Sequence, residues 1–252
     1  MSLIASLAIK GTPLRDYVEV IDCHAHMGPY GWLHLPSNSP DEMVKVMDKV
    51  GASKAVVSHC IALGSDFRLG NRLLYEAMRK YPDRYIGYAV LNPHYHEEIE
   101  EELETCFKRY GMKAIKFHRD LHQMTYPLDH ENYKPVLEYA EANNLAMLCH
   151  GMPSVSKKLK ELSSEYRNVN FIMAHYGSWN MRDLPEATAV ASETPNVYID
   201  SSGSIEWFGG FEKVVAKVGA DKIVFGSDFP WGNQAFICLL YTSPSPRDRQ
   251  KS

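Results

Sequence analysis

Eight short apolar runs alternate with amphipathic stretches along nearly the whole chain, and this rhythm most constrains what it can fold into. The runs occupy 19–26, 54–60, 85–91, 113–118, 145–149, 170–174, 196–200 and 222–226. Seven helix-like stretches separate them. The first opens on Ser39-Pro40-Asp41-Glu42, a cap residue followed by proline at the first helical position and glutamate at the third. It continues with Met43, Val46, Met47 and Val50 at i, i+3, i+4 and i+7, one apolar stripe suited to a sheet. Strands this apolar belong to a parallel sheet covered by helices, and eight of them fit a (β/α)8 barrel. The length of 252 residues suits one such domain. A doubly wound sheet is the other arrangement, but the first run ends in Asp22-Cys23-His24-Ala25-His26 where a glycine-rich phosphate loop would be required.

Beyond the eighth run the pattern stops. Pro244 and Pro246, set among Ser, Arg and Asp, cannot continue a helix and carry no apolar stripe. The expectation is therefore a TIM barrel lacking its eighth helix through C-terminal truncation, with one domain over 1–235 and a non-native or disordered tail over 236–252. The tail from about residue 236 resembles translated sequencing-adapter read-through.

Composition removes several classes of function. Hydrophobic residues at 45% and charged residues at 23% describe a globular chain, not a disordered one. A net charge of -4 and the lack of any basic run interleaved with aromatics argue against a nucleic-acid partner. No stretch approaches the roughly 20 apolar residues a bilayer span needs, so no membrane partner is expected. The five cysteines, Cys23, Cys60, Cys106, Cys149 and Cys238, are odd in number and scattered, as in a reduced, cytoplasmic protein. The partner expected is a small-molecule substrate, and a homodimer is compatible with the sequence although no interface pattern is legible.

Polar residues end the apolar runs. Along a strand, i and i+2 share a side, so Asp22, His24 and His26 are expected on one side and Cys23 and Ala25 on the other. His150, His175 and Asp228 close later runs in the same way. All lie at C-terminal strand ends, the face on which barrel active sites are built. Imidazoles with a carboxylate suit one divalent ion; zinc is the least demanding choice, with Mn2+, Fe2+ or Ni2+ as the other options. Lys116 and His118 end the fourth run on one side; Lys116 supplies a positive charge that either pairs with an aspartate or, reinforced by Arg119 and with His118 beside it, holds an anionic substrate. Tyr176 and Trp179, leaving the sixth run, are the aromatic candidates for substrate contact.

These segments carry a resemblance. Ile21-Asp22-Cys23-His24-Ala25-His26, Cys149-His150-Gly151, Ala174-His175-Tyr176-Gly177 and Phe225-Gly226-Ser227-Asp228-Phe229-Pro230 resemble the amidohydrolase superfamily, in particular its amidohydrolase-related branch. That branch mixes metal-dependent hydrolases with non-oxidative decarboxylases of the aminocarboxymuconate-semialdehyde and resorcylate type. The likeness runs from about residue 19 to about residue 234. It implies that His24, His26, His150 and Asp228 are the metal ligands, that Asp228 also takes a proton, and that His175 lies beside the substrate. In some branches a lysine ending the fourth strand is carbamylated between two metals, but this branch usually holds one.

The reading this supports is a metal-dependent hydrolase that attacks an amide, lactone or similar bond of a small carboxylated or aromatic substrate through metal-activated water, with Asp228 and His175 catalytic. The same groups would also serve a decarboxylase, which stands as the alternative. A serine hydrolase lacks its G-x-S-x-G elbow. A non-enzymatic barrel-fold binding protein would show no metal and no penalty for losing His150.

Overall fold

The protein is described from a computed structural model, which covers residues 19–31, 33–64, 66–118, 126–150, 155–177, 182–203 and 210–234. Its eight strands are β1 (Ile21–Met27), β2 (Lys54–His59), β3 (Tyr85–Val90), β4 (Ala114–Phe117), β5 (Ala146–Cys149), β6 (Asn170–Met173), β7 (Val197–Asp200) and β8 (Ile223–Val224). They lie in sequence order, each parallel to the next. Beyond β8 the chain closes on β1: Cys23 N donates to Phe225 O at 2.7 Å, Asp228 N to His24 O at 2.8 Å and His26 N to Phe229 O at 2.6 Å. All eight runs read from the sequence are strands, trimmed at one or both ends, with β1 extending one residue further, to Met27.

The helices among the described residues are α1 (Pro40–Val50), α2 (Cys60–Leu63), α3 (Phe67–Lys80), α4 (Ile99–Glu104), α5 (Lys134–Ala142), α6 (Val155–Glu165), α7 (Leu184–Glu193) and α8 (Gly210–Val218). After β8 the backbone is helical again at Gln234. The expectation of a barrel short of its last helix is corrected by this: eight α-helices are described, and the chain re-enters helix about ten residues before Pro244. Prolines stop a helix where they stand and do not forbid one upstream. The boundary at 235 and the tail over 236–252 lie outside the described residues. No helix among the described residues is long and apolar enough to cross a membrane.

Strand alternation sorts the core into two layers. Phe171 and Met173 of β6 join the large cluster between sheet and helices, while Ile172 joins the barrel interior with Val56, Tyr88, Ala114 and Leu148. The α1 stripe does as its spacing predicts, with Met43 and Met47 fully buried, and Ser39 and Glu42 form a capping box.

One polar network ties helices to a strand end. Asn71 of α3 pairs with both backbone groups of Val90, at 2.9 and 3.1 Å, and donates to Glu102 Oε1 of α4 at 2.8 Å. Burial pushes the Glu102 carboxyl above its usual range. The folded state therefore holds this proton more tightly than the unfolded chain. Its stabilising contribution is complete below the ordinary carboxylate range and is lost as pH rises through the raised pKa. Glu102→Gln keeps the accepting oxygen and removes the charge. Thermal melts from about pH 4 to about pH 8 should show the variant gaining on the parent protein as pH rises. A difference in melting temperature that stays flat across that range would contradict the assignment.

Candidate metal centre

The described strand-end residues converge on one mouth of the barrel. His24 Nε2 lies 3.1 Å from His26 Nε2, and these atoms lie 3.4 and 3.2 Å from Asp228 Oδ1. His24, His175 and Asp228 each offer one ligand atom within 4.8 Å of the others, a group able to hold a metal ion. The rings of His24 and His175 are 5.1 Å apart, and those of His150 and His175 4.9 Å. His118 stacks on His150 with centroids 3.8 Å apart. Lys116 Nζ, almost fully buried, sits 2.7 Å from His24 Nε2, and its charge acts on all five histidines. The structure thus brings together His24, His26, Lys116, His118, His150, His175 and Asp228. Arg119 and Trp179 lie outside the described residues. Tyr176 is buried beside His175.

The way β1 delivers its two histidines differs from simple alternation. Asp22 pairs with Ala55 and Ala25 with Val57, so Cys23 and His24 together face one residue of β2, a bulge. Below it Ile21 points into the barrel interior, as Cys23 does within it, and above it His26 does so beside Ser58, whose Oγ is 2.9 Å from His26 Nδ1. Asp22 therefore does not share a side with His24 and His26. Its carboxylate instead accepts from Ser227 N at 3.0 Å, Ser227 Oγ at 2.5 Å and Gln234 Nε2 at 2.7 Å. Asp22 clamps the segment after β8, and that segment carries Asp228.

Backbone geometry at the site is unusual. His175, Tyr176 and Asp228 have φ of 56°, 56° and 57°, the left-handed region that side chains other than those of Gly, Asn and Asp rarely adopt. At His175 and Tyr176 this conformation costs of order 1–3 kcal/mol each, and such residues collect at functional sites, whereas Asp228 is of a type that tolerates it. Gly226 makes room: a Cβ there would stand 2.8 Å from His24 Cβ and 3.2 Å from Asp200 Oδ2.

Asp200, which ends β7, is the residue that sequence reasoning missed. Its Oδ2 is 2.6 Å from His24 Nδ1, and its Oδ1 accepts from His175 N at 2.8 Å. The signal was available, because Val197-Tyr198-Ile199-Asp200 is one more apolar run closed by a polar residue.

The donor set fits a divalent ion. Burial, reinforced by the Lys116 charge, holds His24 and His26 well below the usual histidine range and takes His150 to about 3. Burial does the same to His175 and His118. These imidazoles are neutral at pH 7, as ligation requires. Burial raises the carboxyls of Asp22 and Asp200 to about 6, and raises that of Asp228 while lowering the Lys116 ammonium.

A closed eight-stranded parallel barrel with imidazoles and an aspartate at its C-terminal mouth defines a metal-dependent barrel enzyme. The amidohydrolase family model matches residues 21–236, and the chain belongs to that family. No curated protein matches the sequence. Among solved structures, similarity extends to a dihydroxybenzoic acid decarboxylase from a Polaromonas species with bound manganese and the inhibitor 2-nitroresorcinol, at 20% identity over 92% of this chain and 93% of that one, TM-score 0.68. A 4-oxalomesaconate hydratase from Rhodopseudomonas palustris matches at 16% identity over 92% of each chain, TM-score 0.65. A 5-carboxyvanillate decarboxylase from Novosphingobium aromaticivorans, complexed with manganese and 4-hydroxy-3-methoxy-5-nitrobenzoic acid, matches at 17% identity over 83% of this chain and 75% of that one, TM-score 0.65.

Proposed function

We propose that the protein is a metal-dependent decarboxylase of a small aromatic or unsaturated carboxylic acid. The observation that carries this reading is the Lys116 ammonium buried among five histidines, a cationic floor on which an anionic substrate can be neutralised. The two manganese-containing decarboxylases of the same fold support it. Manganese is accordingly the ion proposed, ahead of zinc.

His24, His26 and Asp228 would hold the ion. His150 and His175 divide the fourth ligand position and the handling of protons, His150 being the ligand that the family resemblance implies. A bound divalent ion supplies Lewis acidity, drawing electron density from substrate oxygens. Lys116 and His118 anchor the carboxylate. When the carbon–carboxylate bond breaks, its electron pair stays on carbon and must be met by a proton, and Asp228 and His175 are the buried groups placed to hold one. Tyr176, with Arg119 and Trp179, is proposed to border the substrate.

The family match keeps hydrolysis as a second reading, in which Asp228 takes a proton from water attacking an amide or lactone. The two separate in one experiment. Manganese-loaded protein is incubated in 18O-labelled water with hydroxylated benzoates and with lactones, and carbon dioxide and product mass are followed. Carbon dioxide release with no label in the aromatic product is expected. Labelled acid from a lactone, without carbon dioxide from any benzoate, would overturn the decarboxylase assignment. Of His150→Ala and His175→Ala, the variant that loses manganese affinity identifies the ligand. The one that keeps affinity and loses kcat identifies the proton carrier.

A further inference from the structure

The C-terminal end of β7 carries a hydrogen-bonded unit whose donors and acceptors can be counted. The Ser202 hydroxyl has one proton, and it lies 2.7 Å from Asp200 Oδ1, an oxygen that also accepts from Ser202 N at 3.1 Å and His175 N at 2.8 Å. An ionised carboxylate only accepts. His24 Nδ1, 2.6 Å from Asp200 Oδ2, must therefore bear the proton of that ring. Ser202 Oγ, its own proton spent on Asp200, has only lone pairs left for His175 Nδ1 and His24 Nδ1, each at 3.0 Å, and for His175 N at 3.3 Å. His175 Nδ1 must then carry a proton too. Both rings are left with a lone pair on Nε2. For His24 that lone pair faces Lys116 Nζ at 2.7 Å and Asp228 Oδ1 at 3.4 Å. Space for the unit is made by Gly226 and by Gly203, where a Cβ would stand 3.2 Å from His175 Nδ1.

We propose that Asp200 is a positioning residue that fixes the tautomer of His24 directly and that of His175 through the Ser202 hydroxyl, so that one carboxylate presents two Nε2 lone pairs to the metal centre. The inference rests on this mouth being a metal centre, and on neither reaction assigned to it. It also makes His24 and His175 a coupled pair although they sit on β1 and just beyond β6. In the neutral form His175 can accept a proton or bind an ion through Nε2, and when protonated it retains Nδ1–H on Ser202 while Nε2–H is the proton it gives up.

The test uses the whole chain with 15N-labelled histidine. In the metal-free protein, two-dimensional 15N–1H spectra should show the Nδ1–H tautomer for both His24 and His175. Ser202→Ala should release only His175 into a mixture of tautomers. Asp200→Asn should release both and weaken Mn2+ binding by roughly 10–100-fold in calorimetric titration. An Nε2–H tautomer at either histidine of the parent protein would overturn the proposal, even if the variants do not fold. Mn2+ affinity of Asp200→Asn within about threefold of the parent would overturn it too. If the parent protein binds no Mn2+, the metal-centre reading fails on its own, while the tautomers in the metal-free spectra still decide the role of Asp200.

Discussion

Asp228→Asn is expected to reduce Mn2+ affinity by more than ~100-fold, beyond the roughly 10–100-fold that loss of an outer hydrogen-bond partner costs, and to bring turnover to background. The substitution isolates the charge. Asparagine has nearly the same shape, and it tolerates the left-handed backbone conformation at φ 57°. The Asp228 carboxylate is buried, and burial raises its pKa, so removing the charge should leave the melting temperature of the metal-free protein unchanged or higher. Calorimetric titration with Mn2+ and a melt on the same sample read both effects. Full metal affinity in a folded Asp228→Asn protein would remove Asp228 from the proposed ligand set, and the site would have to be rebuilt around the histidines alone.

Phe171→Ala is expected to cost roughly 3–5 kcal/mol of stability. Phe171 is fully buried on the outer face of β6, in the cluster that joins sheet to helices. Its loss removes a large apolar surface and leaves a cavity that a closed barrel, held by neighbouring strands on both sides, can only partly collapse. For a protein of this size the melting temperature should fall by roughly 6–20 °C. Tyr95→Ala, at a side chain 47% exposed, is the matched control and should change stability by no more than about 0.5 kcal/mol. Equal effects of the two would mean that the layer assignment of β6 is wrong.

Much of the site was legible because barrel strands advertise their ends. A polar residue closing an apolar run is a local signal, and His150, His175 and Asp228 were found by it, as were Lys116 and His118 at the end of β4. Asp200 gives the same signal, although an acidic residue at the start of a loop is also ordinary turn chemistry. Its role follows only from the 2.6 Å approach to His24, a residue 176 positions away in the chain. The side taken by Asp22 was beyond the sequence for a different reason. Alternation assumes a regular ladder, and the bulge at Cys23 and His24 is a property of the pairing between β1 and β2. The missing helix was inferred from Pro244 and Pro246, but where a helix begins depends on the chain before them, and it is helical at Gln234.

The amino-acid order alone determined eight strands, their sequence, the helices that separate them and which polar residues end those strands. Those features follow from periodicities of two and 3.6 residues, which act over a few positions. Tertiary structure decided the rest: the bulge that turns Asp22 away to clamp the segment after β8, the closure of that segment on β1 that seats Asp228 between His24 and His26, and the placement of Asp200 beneath two imidazoles. Each depends on hydrogen bonds between strands remote in the chain. Such bonds exist only once the register is set and the barrel is closed.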